Sequence, residues 1–298
     1  MPVLSLSIAG LGLRLDTPEP LSVQPEFEDF LGAEGTEIPV LYTAAEEIPV
    51  PEQSPLAKTL SCEIYPDGRG YLRAFRSDGV LTAVSRRRGP GAEIQYLAGD
   101  RRCCSVRSCF AMLPLEELLL DRGRMVLHAA CVETPMGGIL FSGPSGIGKS
   151  TQADLWNRFR NASILNGDRV ILHQKGGRWM ASGSPYAGSS RYYVNRSVPV
   201  AAVVMLGQGQ ENRPRPLSLL EAFRLIYPQI LINTWNTGFV ERVCDLCQEL
   251  IQSVPGVFFS CTPDENAVRA LDAWLKGERT CGPEYYGSGA ASVPALDG

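Results

Sequence analysis

Lysine and histidine are scarce in this chain: its 28 basic residues comprise 24 arginines and 4 lysines, and it has 2 histidines. The net charge of −4 leaves no basic field for nucleic acid, so we expect no nucleic-acid partner. No stretch approaches the ~20 apolar residues of a membrane span, and the N-terminus lacks the basic start, apolar block and cleavage site of a signal peptide. We therefore expect a cytoplasmic protein that does not engage a membrane.

The nine cysteines form an odd, scattered set without the spacing of a disulfide framework, so we expect most of them to be reduced and buried. Cys244 and Cys247 have the separation of a zinc-ligand pair, but no second pair or nearby histidine completes four ligands. The apolar residues around them recur with a helical period. This pattern favours a core helix over a metal site.

Residues 1–113 are predicted to form a β-rich domain, to which the sequence assigns no role. Leu4, Leu6 and Ile8 alternate with small or polar residues, which is the period of a half-buried strand. Turn signals at residues 66–68 and 78–79 separate further apolar runs and predict successive antiparallel hairpins. The stretch from residue 32 to 58 is rich in Glu and Pro and has no steady period, so it is interpreted as an irregular connection.

After residue 113, apolar runs alternate with helical segments, which predicts an α/β domain over residues 123–280. A turn at residues 134–137 joins two strands of this domain into a hairpin. The predicted strands are 126–132, 138–142, 163–165 and 201–206, and the predicted helices are 115–120, 151–160, 218–227, 239–253 and 264–276. Pro199 and the run 212–216 are interpreted as loops. Residues 281–298, rich in Gly, Ser and Ala, are predicted to be a flexible tail.

Residues 143–151, which we call the phosphate loop, read Gly-Pro-Ser-Gly-Ile-Gly-Lys-Ser-Thr and lie between a strand pattern and a helical one. The glycines let successive amides point into one concavity, and the following helix adds its positive N-terminal end. A nucleoside triphosphate with Mg²⁺ is the expected ligand, because Lys149 can reach the β and γ phosphates and the Ser150 hydroxyl can bind the metal. A plain glycine-rich turn would not explain Lys149 and Ser150. The predicted nucleotide-binding residues are Gly143, Pro144, Ser145, Gly146, Ile147, Gly148, Lys149, Ser150 and Thr151.

Asp168 lies nineteen residues beyond Lys149, in the run Asn166-Gly167-Asp168, which we call the acidic turn. A helix, a loop and a strand would return the chain to the phosphate loop and leave Asp168 facing the γ-phosphate. In that position Asp168 can hold Mg²⁺ or accept a proton from an attacking hydroxyl. The alternative is an ordinary turn residue, because Asn-Gly-Asp is also a good turn sequence.

The two histidines stand in different settings. His128 lies among apolar residues on the strand that precedes the phosphate loop. A lone histidine in such a place is more often a core residue than a site residue, although its titration range suits proton transfer. His173 falls in a predicted exposed hairpin and is assigned no chemistry.

Three segments together resemble the C-terminal domain of the HPr kinase/phosphorylase family: residues 127–132, the phosphate loop and residues 166–170. That family shares its nucleotide-binding core with phosphoenolpyruvate carboxykinases, and the resemblance spans residues 123 to 275. It implies a P-loop α/β domain in which Lys149 and Ser150 handle ATP and Mg²⁺. By the same resemblance His128 stands near the transferred phosphate, and Asp168 matches the second of the family's paired aspartates. Gly167 replaces the first acid, so whether Asp168 acts as base or as metal ligand stays open.

The implied activity is a serine-kinase-like transfer of the γ-phosphoryl group of ATP to a hydroxyl of a peptide, a protein or a small molecule. The glycine-rich signature that serves HPr recognition does not follow the phosphate loop; residues 182–192 stand there instead, as a substrate lid or a surface connection. Arg169, Arg191 and Arg196 are candidates for an anion clamp on that side. Two other functions stay open: an ATP-binding regulatory or scaffold protein without phosphotransfer, and an ATP hydrolase. Members of that family form homo-oligomers. Whether this chain does so stays open, because its sequence shows no heptad pattern that would indicate an interface.

Overall fold

The computed structural model describes residues 2–33, 35–68, 70–186, 188 and 190–277. It is a mixed α/β structure with two eight-stranded sheets, one built from the first third of the chain and one from the remainder. Within those residues, none of the helices combines the length and the apolar character that crossing a lipid bilayer requires. The predicted flexible tail at 281–298 lies outside the described residues.

The first sheet has the strand order β1-β2-β3-β8-β7-β6-β5-β4. Strand β3 runs parallel to both of its neighbours, and the other neighbouring strands pair antiparallel, as the predicted hairpins require. The strands are β1 (Val3–Ile8), β2 (Leu11–Asp16), β3 (Thr36–Ala45), β4 (Ala57–Lys58), β5 (Glu63–Asp67), β6 (Gly70–Ser77), β7 (Val80–Arg88) and β8 (Gly91–Leu97). The helices that accompany this sheet are α1 (Pro25–Glu28), α2 (Val106–Met112) and α3 (Leu115–Leu120), with a 3₁₀ turn at Arg101–Cys103.

The interpretation of residues 32–58 as an irregular connection is wrong in part, because β3 lies in the middle of this sheet. Ile38, Val40 and Tyr42 alternate inward and are fully buried. The period was hidden by Pro39, which lies just before pairing with β8 begins at Val40. A proline is tolerated there because residue 39 has no pairing partner on the β8 side, so the missing N–H costs no hydrogen bond between these strands.

The second sheet has the strand order β10-β9-β12-β13-β14-β16-β15, with β11 also on β9 and a further parallel pairing of β10 with β14. Its strands are β9 (Arg124–Thr134), β10 (Gly137–Ser142), β11 (Ser163–Asn166), β12 (Arg169–Lys175), β13 (Arg178–Ser182), β14 (Ser197–Gln208), β15 (Arg213–Pro216) and β16 (Gly256–Cys261). The helices are α4 (Lys149–Arg160), α5 (Leu219–Ile226), α6 (Thr237–Ser253) and α7 (Glu265–Leu275), with a 3₁₀ turn at Tyr227–Gln229. The predicted β9–β10 hairpin is confirmed by their antiparallel pairing.

Three local expectations in this half are wrong. Pro199 lies inside β14, and Pro214 and Pro216 lie in β15 rather than in loops. Strand β15 is at the edge of the sheet, where a proline costs no ladder hydrogen bond on its open side. His173 belongs to a hairpin as predicted, but its side chain is buried and hydrogen-bonds with the Ser182 hydroxyl at 3.0 Å.

Packing follows the apolar patterns of the sequence. Helix α4 buries Ala153 and Trp156 against the sheet, and α6 buries Cys247 in its core-facing stripe, as the core-helix interpretation of the cysteine pair expects. The core of the first sheet also takes in Val126 of β9 and Ile171 of β12. The two halves therefore share buried apolar contacts, and the division into domains 1–113 and 123–280 stays a prediction.

Candidate functional site

The phosphate loop follows the end of β10, and its last three residues are the first three of α4, whose N-cap is Gly148. Gly146 and Gly148 have φ angles of +79° and +112°, in the left-handed region that other residues adopt only at a cost. In the described part of the chain, no side chain caps the helix. Its first amides are therefore available to an anion, and the helix dipole favours negative charge at this end.

Lys149 begins α4 and folds back over the loop. Its ammonium nitrogen donates to the carbonyl oxygens of Gly143 at 3.0 Å and Pro144 at 3.2 Å, and the side chain is buried. Burial lowers the pKa of Lys149 from its ordinary value, and the negative charge of Asp168 opposes that shift. The lysine and the aspartate are thus close enough to act on each other electrostatically.

Neighbouring strands bring the predicted site residues to one edge of the second sheet. Ser142 ends β10 opposite Ala129 of β9, and its hydroxyl donates to the His128 carbonyl oxygen at 2.8 Å. On the other side of β9, His128 lies opposite Arg169, the first residue of β12. The phosphate loop therefore begins just after β10, and the acidic turn ends just before β12. His128 lies on β9, between these two strands.

The acidic turn interrupts a strand path, because β11 and β12 both pair with β9 on either side of it. The Oδ1 atom of buried Asn166 accepts from the backbone N–H groups of Asp168 and Arg169, each at 2.8 Å. Its Nδ2 donates to the carbonyl oxygens of Ser184 and Tyr186 at 2.9 Å and 3.1 Å. A break of this kind in a strand re-aims a side chain, here the carboxylate of Asp168.

Asp168 lies among three cationic or hydrogen-bonding side chains. Its Oδ1 is 3.4 Å from His128 Nε2, and its Oδ2 is 3.7 Å from Arg169 Nε. The hydrogen-bonding contact with His128 holds the pKa of Asp168 below its ordinary value against partial burial, helped by the charges of Arg169 and Lys149. The carboxylate is therefore ionised at neutral pH.

The described residues of segment 183–193 pack over this acid. A Cβ atom on Gly188 would lie 2.9 Å from both Cβ and Cγ of Asp168, so the glycine backbone touches the aspartate directly. The Arg169 guanidinium lies over the Tyr186 ring, 4.7 Å from its centroid. Described residues of the run 182–192, which the sequence left as a lid or a connection, thus form a wall of the candidate site.

Two cavities meet at Asp168 and Arg169, which line both. The smaller, of about 230 Å³, lies between these residues, His128 and residues 228–231. The larger, of about 690 Å³, lies between α1, α2 and the segment that packs over the acid. Asp168 is therefore accessible from two directions.

The structure brings some of the predicted site residues together and places others elsewhere. Asp168, His128 and Lys149 gather at one edge of the sheet, and Ser150 is half-buried in the first turn of α4, whereas Thr151 is exposed. Of the predicted anion clamp, Arg169 and Arg191 line the larger cavity. Arg196 forms an ion pair with Glu133 instead.

Sequence reasoning assigned no individual role to Asn166, Tyr186 or Gly188, although Asn166 lies in the acidic turn and the other two lie in the candidate lid at 182–192. Asn166 was available from the sequence, since an asparagine two residues before an acid commonly bonds the following amides in an Asx turn. The other two carried no signal, because their contacts with Asp168 and Arg169 join parts of the chain that are seventeen or more residues apart.

The donors predicted for Mg²⁺ are the Ser150 hydroxyl and the Asp168 carboxylate. Magnesium is usually held by one or two carboxylates with phosphate oxygens and water, and seldom by protein groups alone. Across the residues that the structure describes, no group of three or more His, Cys, Asp or Glu side chains is gathered as a metal site. The donors fit a phosphate-bound magnesium ion and do not fit a protein-only metal centre.

No family model matches the chain, and a search of curated proteins found no match. One matching solved structure is the Hpr(Ser) kinase/phosphatase from Coxiella burnetii, with a TM-score of 0.31 and 16% sequence identity. The match covers 51% of this chain and 93% of that chain.

Proposed function

We propose that the protein is an ATP- and Mg²⁺-dependent kinase that transfers the γ-phosphoryl group to a hydroxyl. The observation that carries the proposal is that the phosphate loop follows β10 and Asp168 precedes β12, the two strands that flank β9, with His128 of β9 between them. The motif resemblance to the HPr kinase/phosphorylase family supports the same activity. An ionised acid in this position is able to accept the hydroxyl proton that phosphoryl transfer releases.

In the proposed transfer, the acceptor oxygen bonds to the γ-phosphorus of ATP while the bond from that phosphorus to the β–γ bridging oxygen breaks, and ADP leaves. The hydroxyl proton passes to the Asp168 carboxylate. Lys149 and the first amides of α4 stabilise the negative charge that develops on the phosphate oxygens. His128 keeps the carboxylate oriented through its contact at 3.4 Å.

Ser150 would hold magnesium together with phosphate oxygens, with or without Asp168 as a further ligand. When bound, the metal neutralises phosphate charge. All other groups in the proposed site belong to the protein chain. They bind the triphosphate and orient the acid, which the described residues of segment 183–193 cover.

The test is incubation of the protein with γ-labelled ATP, Mg²⁺ and a whole-cell extract. We expect the label in a phosphoester on an acceptor, and no such product with Lys149→Ala. Label released only as inorganic phosphate would indicate an ATP hydrolase. Nucleotide binding with no movement of label would indicate a regulatory or scaffold protein, and either outcome would overturn the proposal.

A further inference from the structure

The larger cavity beside Asp168 has the dimensions of a small-molecule site. Its volume of about 690 Å³ falls within the range of roughly 300–1,000 Å³ usual for ligand pockets. The cavity next to His128, at about 230 Å³, falls below it. Of the two spaces that reach the acid, the larger is the one that can admit an acceptor with more than a few heavy atoms.

The N-terminal half of the chain builds one wall of this cleft. Phe27 of α1 and Phe110 of α2 face Tyr186 and Tyr193 of the segment that packs over the acid, and the Phe110 and Tyr186 ring centroids are 5.1 Å apart. Near the cleft, Asn195 Nδ2 donates to the carbonyl oxygen of Asp29, the residue that follows α1, at 3.1 Å. The wall is therefore fixed against the catalytic half. Phe27 and Phe110 are almost fully buried, so the aromatic surface that reaches the cleft belongs to the half-buried Tyr186 and Tyr193.

The arginines that line the cleft differ in whether a carboxylate lies within ion-pairing distance. Glu26 forms an ion pair with Arg107, and Asp168 contacts Arg169 and His128. Among the residues that the structure describes, Arg191 has no carboxylate within ion-pairing distance, and its side chain is exposed on the cleft. A guanidinium in that position is suited to a carboxylate or phosphate group of a ligand.

The backbone at Arg191 is also unusual. Its φ angle is +58°, in the left-handed region where residues other than Gly, Asn and Asp are uncommon. Such conformations gather at ligand sites, where the surrounding structure maintains them. The strained backbone and the guanidinium, which pairs with no carboxylate in the described part of the chain, are two separate observations at one residue of the cleft wall.

We propose that this cleft is the acceptor site, and that the acceptor is a small hydroxyl compound with an apolar or ring-bearing body and one anionic group bound by Arg191. The inference rests on the proposed kinase function and specifies its acceptor class. Tyr186 and Tyr193 pack the body, Arg191 holds the anion, and the hydroxyl is presented to Asp168. The N-terminal half then acts as a specificity module for the catalytic half.

The first test divides a cell extract by ultrafiltration and supplies γ-labelled ATP and Mg²⁺ to each fraction with the full-length protein. We expect the labelled product in the small-molecule fraction. Label in proteins only would overturn this inference and leave the kinase function standing. Label in neither fraction would overturn the kinase function, and this inference with it.

The second test uses Arg191→Gly, which removes the guanidinium and relieves the left-handed backbone, so that failure to fold is not expected. The KM for the labelled small molecule should rise about tenfold or more, as expected on losing a charge-assisted hydrogen bond. Arg191→Lys should restore part of the affinity, because it restores the charge. Arg178→Ala, an exposed arginine on the distant β13 end, is the matched control. A KM for Arg191→Gly equal to that of the parent would overturn the assignment.

Discussion

The phosphate loop and the acidic turn do related work in the proposed reaction but are built in opposite ways. The loop is a continuous run whose groups are mostly its own backbone, and Lys149 bonds to carbonyls of residues 143 and 144. The acidic turn consists of three residues whose shape depends on β9, on Asn166 and on segment 183–193. An anion cradle can be specified locally, whereas the placement of an acid requires distant support.

The largest expected effect comes from breaking the phosphate loop itself. Lys149→Ala should abolish nucleotide-dependent transfer and weaken ATP binding by about 100-fold, because a charge-assisted contact with the β and γ phosphates is lost from a partly buried site. Calorimetric titration with a non-hydrolysable ATP analogue measures the affinity.

Lys175→Ala is the control for that change, since Lys175 is exposed at the tip of the β12–β13 hairpin. Its affinity should equal that of the parent. Equal affinity for Lys149→Ala and Lys175→Ala would mean that the loop does not hold the triphosphate.

The next effect separates the turn from the loop. Asp168→Asn should bind ATP as the parent does but transfer the phosphoryl group about 10²- to 10⁴-fold more slowly, because the amide cannot accept the hydroxyl proton. Single-turnover rates with γ-labelled ATP measure the transfer. Asp154→Asn, an exposed acid on α4, should match the parent.

The Mg²⁺ dependence of Asp168→Asn then distinguishes its two possible roles. A rate that stays low at raised Mg²⁺ indicates a base. Restoration of the rate by Mg²⁺ would show that Asp168 is chiefly a metal ligand, and a parental rate at ordinary Mg²⁺ would contradict both roles.

A smaller effect, on stability, tests whether the acidic turn depends on its buried asparagine. Asn166→Ala leaves two backbone N–H groups and two carbonyl oxygens, one of them buried, without their partner, so the free energy of unfolding should fall by about 2–4 kcal/mol. Asn157→Ala, which removes a single hydrogen bond to the Ala162 carbonyl, should cost about 1 kcal/mol. Urea unfolding measures both, and equal losses would show that the turn holds its shape without Asn166.

The smallest effect tests the contact between segment 183–193 and the acid. Gly188→Ala and Gly176→Ala both place a side chain on a left-handed backbone, with φ of +53° and +59°, so each should cost about 1 kcal/mol in unfolding free energy. Only the Cβ at residue 188 would meet Asp168. Turnover should therefore fall about tenfold for Gly188→Ala alone, by displacement of the carboxylate. Equal turnover in the two variants would show that the segment does not position the acid.

Predictions from sequence were most successful where neighbours in the chain decide the structure. The β9–β10 hairpin and helix α4 were predicted with nearly correct bounds, because turn residues and helical periodicity act over a few positions. Strand β3 was missed and His173 was placed on the surface, because a strand's position and a side chain's burial depend on which other strands pair with it.

The phosphate loop could be read residue by residue from the chain, since its glycines, its lysine and the start of α4 are contiguous and their geometry follows from backbone preferences. The pairing of His128 with Asp168 and the cleft that joins α1 and α2 to segment 183–193 arise only when strands and halves far apart in the sequence are packed together. Contacts of that kind leave no local pattern, because their energy comes from surfaces that meet after the chain has folded.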